Sequence, residues 1–306
     1  MSSCGVQPAG TGADTHRVRW VSWLGSGALV LAVLATPAHA RQGSLRFFGN
    51  GTDDIDRVKI RVDDPTTDRE PKRPVDVGAR SFTIELWIRA AAGNDARVVA
   101  CGANVDWIYG NIVVDRDRYN QGRSFGLSLA DGRVVFGVRN ARGVSRTICG
   151  TTDLRDGRWH HVAVERRRSD GHLWLYVDGR REAHADGPNG DVSYPDDGVP
   201  GPYCGGQCIR SDPFLVIGAE KHDAGPSYPS FHGWVDEIRV SRVLRYRGAA
   251  FRPPSAPFEL DRGTAALYHL DEARGKTVHD VRGRSDGVRR YGGDPAGPRW
   301  SRRSPF

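Results

Sequence analysis

The sequence predicts an all-β protein built as a two-sheet antiparallel sandwich. Short apolar runs of period two recur along the chain, and turn residues punctuate them about every 8–12 residues. Beyond the first 40 residues, no stretch keeps a helical apolar period for three turns. The 38 Gly and 18 Pro favour turns over long helices.

The clearest strand is Ser81–Arg89, where Phe82, Ile84, Leu86 and Ile88 alternate with Thr83, Glu85, Trp87 and Arg89. Ser124–Ala130 and Arg133–Val138 flank Asp131-Gly132, a turn whose two residues both take positive φ in a hairpin. His160–Arg167 and His172–Val177 flank Ser169-Asp170-Gly171, and Asp178-Gly179 closes the second of these strands. Further strands are expected at Phe214–Ala219, Phe231–Ser241 and Ala265–Leu270. Between them lie two polar, Pro/Gly-rich segments, Asp63–Gly78 and Asp186–Asp212. Residues 281–306 read as an Arg-rich C-terminal extension: Arg282, Arg284, Arg289, Arg290, Arg299, Arg302 and Arg303 stand against Asp286 and Asp294, and the last residues are expected to fray.

Residues 1–40 read as a signal peptide. Arg17 and Arg19 precede an apolar stretch from Trp20 to Ala35, which ends in Ala38-His39-Ala40, a small-x-small cleavage pattern. The stretch is shorter than the ~20 residues of a spanning helix, and Cys4 lies too early to be a lipidated cleavage-site cysteine. The expected mature chain starts at about Arg41, has no membrane span and is extracellular or periplasmic.

Export leaves Cys101, Cys149, Cys204 and Cys208, an even number suited to an oxidising compartment. Four cysteines allow three pairings. Cys204-Gly-Gly-Gln-Cys208 can close on itself, which leaves Cys101 for Cys149; no second thiol pair lies near it in sequence to complete a metal site. The formal charge of +7 is nearly all Arg. A codon-level preference for Arg explains the larger share; the functional reading is attraction to anionic polymers. Export argues against nucleic acid as the partner.

The motifs together resemble a family. Phe82-Thr-Ile-Glu-Leu-Trp-Ile88, Asp156-Gly-Arg-Trp-His-His-Val-Ala-Val164, Leu173-Trp-Leu-Tyr-Val-Asp-Gly-Arg180, Leu215-Val-Ile-Gly-Ala219 and Phe231-His-Gly-Trp-Val-Asp-Glu-Ile-Arg-Val240 follow one another at the spacing of laminin G-like domains of the concanavalin A-like superfamily. Leu45-Arg-Phe-Phe-Gly49 and Tyr268-His-Leu-Asp-Glu272 resemble the leading and trailing strands, so the likeness covers roughly residues 44–280. It implies a concanavalin A-like jelly roll over 41–280. It also implies a non-catalytic module that recognises a glycan or an extracellular or envelope protein, often with a structural calcium ion.

Calcium takes several oxygen ligands from carboxylates and turn carbonyls. Asp53, Asp54 and Asp56 offer them in the Gly49–Asp56 stretch, and by the resemblance Asp236 adds one from a neighbouring strand. A glycan groove uses aromatic rings beside polar groups. Trp87, Trp159, Trp174 and Trp234 fall in the family's strand motifs and are read as structural. The loop aromatics Trp107, Tyr109, Tyr119, Tyr203 and Tyr228 are the candidates, with Asn104, Asp106, Asn111 and Asp115 as polar complements. The alternative is a polysaccharide-degrading enzyme. A retaining glycosidase needs two carboxylates ~5–5.5 Å apart, but the E-x-D-x-x-E strand of such enzymes on this fold is absent, and the neighbours Asp236 and Glu237 point to opposite faces. His160, His161, Tyr176 and Arg89 imitate a lyase set, although the two histidines alternate faces. No histidine pair has the spacing of a transition-metal site.

Overall fold

The computed structural model describes residues 42–49, 56–63, 73–96, 99–117, 122–194, 213–221, 224–290 and 297–306. The expected signal peptide, Asp53, Asp54, Tyr119, Tyr203, Cys204 and Cys208 lie outside the described residues.

Sixteen strands form two antiparallel sheets among the described residues. The first sheet runs β10 (Arg180–Ala185), β9 (Leu173–Val177), β8 (His160–Arg166), β3 (Phe82–Ala90), β12 (His232–Ser241), β1 (Ser44–Phe48), β16 (Arg299–Ser301), and β13 (Thr264–Tyr268) pairs with the second half of β12. The second runs β14 (Thr277–Val278), β15 (Gly287–Arg290), β2 (Arg57–Arg61), β11 (Phe214–Ile217), β4 (Asn111–Arg116), β5 (Ser124–Ala130), β6 (Arg133–Arg139), β7 (Ser145–Asp153). The Asp131-Gly132 turn takes φ of 47° and 75° and joins β5 to β6; Asp178-Gly179 takes 48° and 74° and joins β9 to β10. Short polar residues and glycine tolerate these left-handed values, which explains why the β5–β6 hairpin and the Asp178-Gly179 turn were legible, although β10 was not expected.

The core lies between the sheets. Phe82, Ile84, Leu86 and Ile88 of β3 meet Phe125, Leu127 and Leu129 of β5 and Phe136 of β6, with Phe82 packed 5.0 Å from Phe125 and 6.4 Å from Phe136. Two expectations are corrected. The run Asn111–Arg116, placed in a loop-like region from sequence, is a strand in the middle of the second sheet. The Arg-rich segment 281–306 is no frayed extension: β15 pairs with β2 in one sheet and β16 with β1 in the other. Arg289 lies buried, donating to Gly275 O at 2.8 Å with its guanidinium over the Trp300 ring.

The outer face of the first sheet departs from simple alternation. Thr83 and Glu85, the polar side of β3, are as buried as its apolar side. Residues 242–261 cross this face as a strap. Thr83 Oγ1 donates to Val243 O at 2.7 Å, Glu165 accepts from the backbone N–H of Arg245 and Tyr246 at 2.6 and 3.0 Å, and Phe251 N donates to Gly179 O at 2.7 Å. Beneath the strap Glu85 accepts from Arg239 Nε at 2.8 Å and from the Tyr246 hydroxyl, faces His161 Nε2 at 3.2 Å and pairs with Arg245 at 3.3 Å. Burial alone would raise its pKa; the hydrogen bonds and charges of His161 and Arg239 overcome that and hold it below the usual carboxylate value.

Candidate functional site

On the outer face of the second sheet, residues 99–110 cross from β7 to β4. The crossing starts at the Cys101–Cys149 disulfide (Cα–Cα 5.9 Å), the pairing expected from sequence. Gly102 and Thr147 exchange backbone hydrogen bonds at 2.9 and 2.8 Å, and Thr147 Oγ1 donates to Asn104 O at 3.1 Å. A 3-10 turn, Asp106–Tyr109, then lays the Trp107 indole against Gly126 of β5 and Gly137 of β6, where a Cβ on either glycine would collide with the ring. Ser128 Oγ donates to Trp107 O at 2.6 Å. Trp107 is therefore no ligand platform as the sequence reading expected. It is 1% exposed and anchors the crossing, because two side-chain-free positions on adjacent strands leave a slot for one indole.

The anchor presents Tyr109, which is 38% exposed. Its ring lies nearly parallel to that of Tyr228, with centroids 5.9 Å apart and an interplanar angle of 16°. Tyr228 stands on a hairpin in which it and Gly225 exchange backbone hydrogen bonds at 3.1 Å. That hairpin is tied to β4 through Ile112 N to Pro229 O at 2.8 Å and Asn111 Nδ2 to Ser230 O at 3.0 Å. Two of the five candidate aromatics thus meet, from positions far apart in sequence. Of the expected polar complements, Asn111 is buried and used in this tie, and Asp106 accepts from Ala100 N at 3.3 Å.

Ile112 and Asp115 are three residues apart on β4, about 10 Å along the strand. There Asp115, Asp117 and Glu220 bring carboxylate oxygens within 4.8 Å of one another. Asp115 is fully buried; one oxygen accepts from Lys221 N at 2.8 Å and Oδ1 has no hydrogen-bond partner. Its pKa is raised well above the usual value by burial, then by the charges of Asp117 and Glu220. The Lys221 ammonium lies 3.4 Å from Asp117 Oδ1 and returns one positive charge to three acids. The donors are all hard oxygens, and the orphaned Asp115 Oδ1 is a ready ligand, so the set fits a calcium-type cation.

Asp56 and Asp236, the described members of the expected calcium set, do not meet. Asp56 is buried beyond one end of β1, accepting from Phe48 N at 2.6 Å, and burial pushes its pKa up to about 6. Asp236 lies one step past the Leu45–Val235 pair, about 13 Å along the strand direction from Phe48. It accepts from Glu237 N at 2.8 Å, and burial, with Glu237 and Asp271 nearby, pushes it up to about 9. The β1–β12 register keeps Asp56 and Asp236 apart. The lyase-like set is also divided. His161 and Tyr176 lie under the strap, His160 is held between Asp178 at 2.7 Å and Asp156 at 3.0 Å, and Arg89 sits with Trp234.

The model of the family described as the concanavalin A-like lectin/glucanases superfamily, Laminin_G_3, matches residues 66–245. The chain belongs to this family. The concanavalin A-like jelly roll of this chain is thereby placed by family as well as by architecture. Similar solved structures include a Bacteroides ovatus ATCC 8483 protein described as carbohydrate binding, 19% identical over 82% of this chain and 59% of that one, with a TM-score of 0.45. They also include a SAP-like pentraxin from Limulus polyphemus, 15% identical over 66% of this chain and 76% of that one, TM-score 0.40. Mouse laminin alpha1 domains LG4-5 are 18% identical over 71% of this chain and 48% of that one, TM-score 0.36. This laminin G-like chain thus spans about 59% of the length of the Bacteroides structure it matches. No curated protein sequence matches it.

Proposed function

We propose that the chain is an exported, non-catalytic binding module that holds a glycan across the Tyr109–Tyr228 surface, with a calcium ion at Asp115, Asp117 and Glu220. The observation that carries this reading is the aromatic pair itself. Two parallel rings on a surface are pinned from below by Trp107, a disulfide and the Gly102–Thr147 and Ile112–Pro229 backbone hydrogen bonds, and flat preorganised rings are what a pyranose face packs on. The disulfide supports export, since such bonds persist in oxidising compartments. No helix among the described residues is long and apolar enough to cross a membrane.

The test is a glycan array followed by titration. Tyr109→Ala and Tyr228→Ala should each weaken binding of the best neutral glycan about five- to tenfold, the worth of one aromatic contact. Unchanged affinity in both variants, or turnover of any polysaccharide by the wild-type protein, would overturn the reading. At the acidic cluster, calcium at a hundred times its Kd should add about 2.7 kcal/mol of stability and raise the Tm, and Asp115→Asn should abolish that increment. A Tm that is the same in calcium and in EDTA removes the ion from the proposal.

A further inference from the structure

A second surface lies on the opposite sheet, away from the tyrosine pair. Trp234 of β12 is flanked in register by Arg46 of β1 and Arg89 of β3. Three guanidinium groups gather around its ring: Arg46 at 4.2 Å from the centroid, Arg303 at 4.6 Å and Arg89 at 5.4 Å. Arg46 also lies 4.8 Å from the Phe48 ring, which Arg299 approaches at 5.5 Å.

The arginine in the middle is fixed rather than waving in solvent. Arg46 donates to Phe47 O and, at 3.1 Å, to Gly233 O, and its Nη2 lies 2.6 Å from His232 Nε2. Burial and the charge of Arg46 lower the His232 pKa, so the ring is neutral at pH 7 and its Nε2 accepts. A guanidinium has five N–H groups, and these three contacts leave the rest for a ligand.

Arg46, Arg89 and Arg303 make no ion pair among the described residues. Of the two carboxyls nearest this face in the register, Asp56 alone supplies counter-charge. Asp56 is buried against Phe48 N, and Asp236 is neutral at pH 7 with its pKa pushed up to about 9. The arginines thus gather around one nearby counter-charge, that of Asp56, and an anionic ligand would supply more. Burial lowers the Arg46 pKa; the charge of Asp56 opposes that shift, and Arg303 adds to it.

We infer that this surface takes the carboxylate or sulfate groups of an acidic polysaccharide, a step that rests on the proposed glycan-binding role but uses a different site. Planar guanidinium forks match carboxylate and sulfate oxygens in pairs. Arg46 and Arg89 stand two strands apart, about 10 Å. That is close to the length of a disaccharide, so two acidic groups of one polymer meet one arginine each. Phe48 and Trp234 are half-buried here, so among the described residues the patch presents no projecting apolar face of the kind that inserts into a bilayer.

The full chain should bind dextran sulfate or polygalacturonate in preference to neutral dextran, and added salt should weaken that binding at least about tenfold between 50 and 300 mM NaCl. Arg89→Ala and Arg303→Ala should each cost about tenfold, and Arg89→Glu/Arg303→Glu about a hundredfold with the Tm preserved. Tyr109→Ala and Tyr228→Ala should leave acidic binding unchanged. Arginine variants that bind acidic polymers like wild type overturn this inference and leave the tyrosine reading standing. Loss of acidic binding in the arginine variants but not in the tyrosine variants supports it, whether or not the tyrosines bind a neutral glycan. Equal affinity for neutral dextran, or tighter binding to phosphatidylserine vesicles than to either polymer, overturns the assignment to an acidic glycan.

Discussion

Replacing Glu85 by alanine should destabilise the protein by about 3–5 kcal/mol in urea unfolding, because it strands buried cations. Glu85 is the shared acceptor of Arg239, His161 and the Tyr246 hydroxyl and the ion-pair partner of Arg245, all beneath the 242–261 strap. Without it Arg239 and Arg245 lose their buried counter-charge, and the strap loses its central tie. Arg245 keeps Asp261 at 2.8 and 2.9 Å, so the outer end of the strap should stay attached. Glu85→Gln, which keeps the shape and part of the hydrogen bonding, should cost less than the alanine variant. A loss below about 1 kcal/mol for Glu85→Ala would show that the strap relaxes to let water reach the cations.

Trp107→Ala should cost a similar amount, about 3–5 kcal/mol, as expected for deleting a buried indole whose slot cannot collapse. The slot walls are backbone at Gly126 and Gly137 on adjacent strands, and sheet backbone moves little. Gly126→Ala or Gly137→Ala should cost about 1–3 kcal/mol by overpacking against the same ring. All three substitutions should also loosen the Gly102–Thr147 pair, read as faster amide exchange, and weaken any ligand held by Tyr109. A Trp107→Ala protein with wild-type stability and slow exchange at Gly102 would show that the disulfide alone holds the crossing.

The sequence made the hairpins and β3 legible because their determinants are local: a period of two, and Asp-Gly pairs that tolerate positive φ. It misjudged what covers the sheets. Thr83 and Glu85 look like solvent-facing alternates until residues 242–261, far along the chain, are laid over them. Trp107 looked like a loop aromatic because its slot consists of two glycines, and a missing side chain leaves no pattern to read. Tyr109 and Tyr228 were both picked as candidates, but their pairing depends on the tie between the 225–230 hairpin and β4. Asp115 was noticed as a polar complement; Glu220 was not, since it joins Asp115 only through the β4–β11 register. Trp234 was read as structural from its motif, and the arginines around it come from three separate stretches of chain.

The pairing of β1 with β12 on one side and β16 on the other sets an order of events for the folding chain. The earliest strand waits for β12, at His232–Ser241, on one side and for β16, at Arg299–Ser301, on the other. Contacts this distant in sequence make for slow folding. In the interval Leu45 and Phe47, fully enclosed in the finished protein, are apolar side chains on an unpaired edge. Arg299 on β16 and Arg303 just beyond it carry positive charge to that edge, so the strand that covers β1 also completes the basic surface.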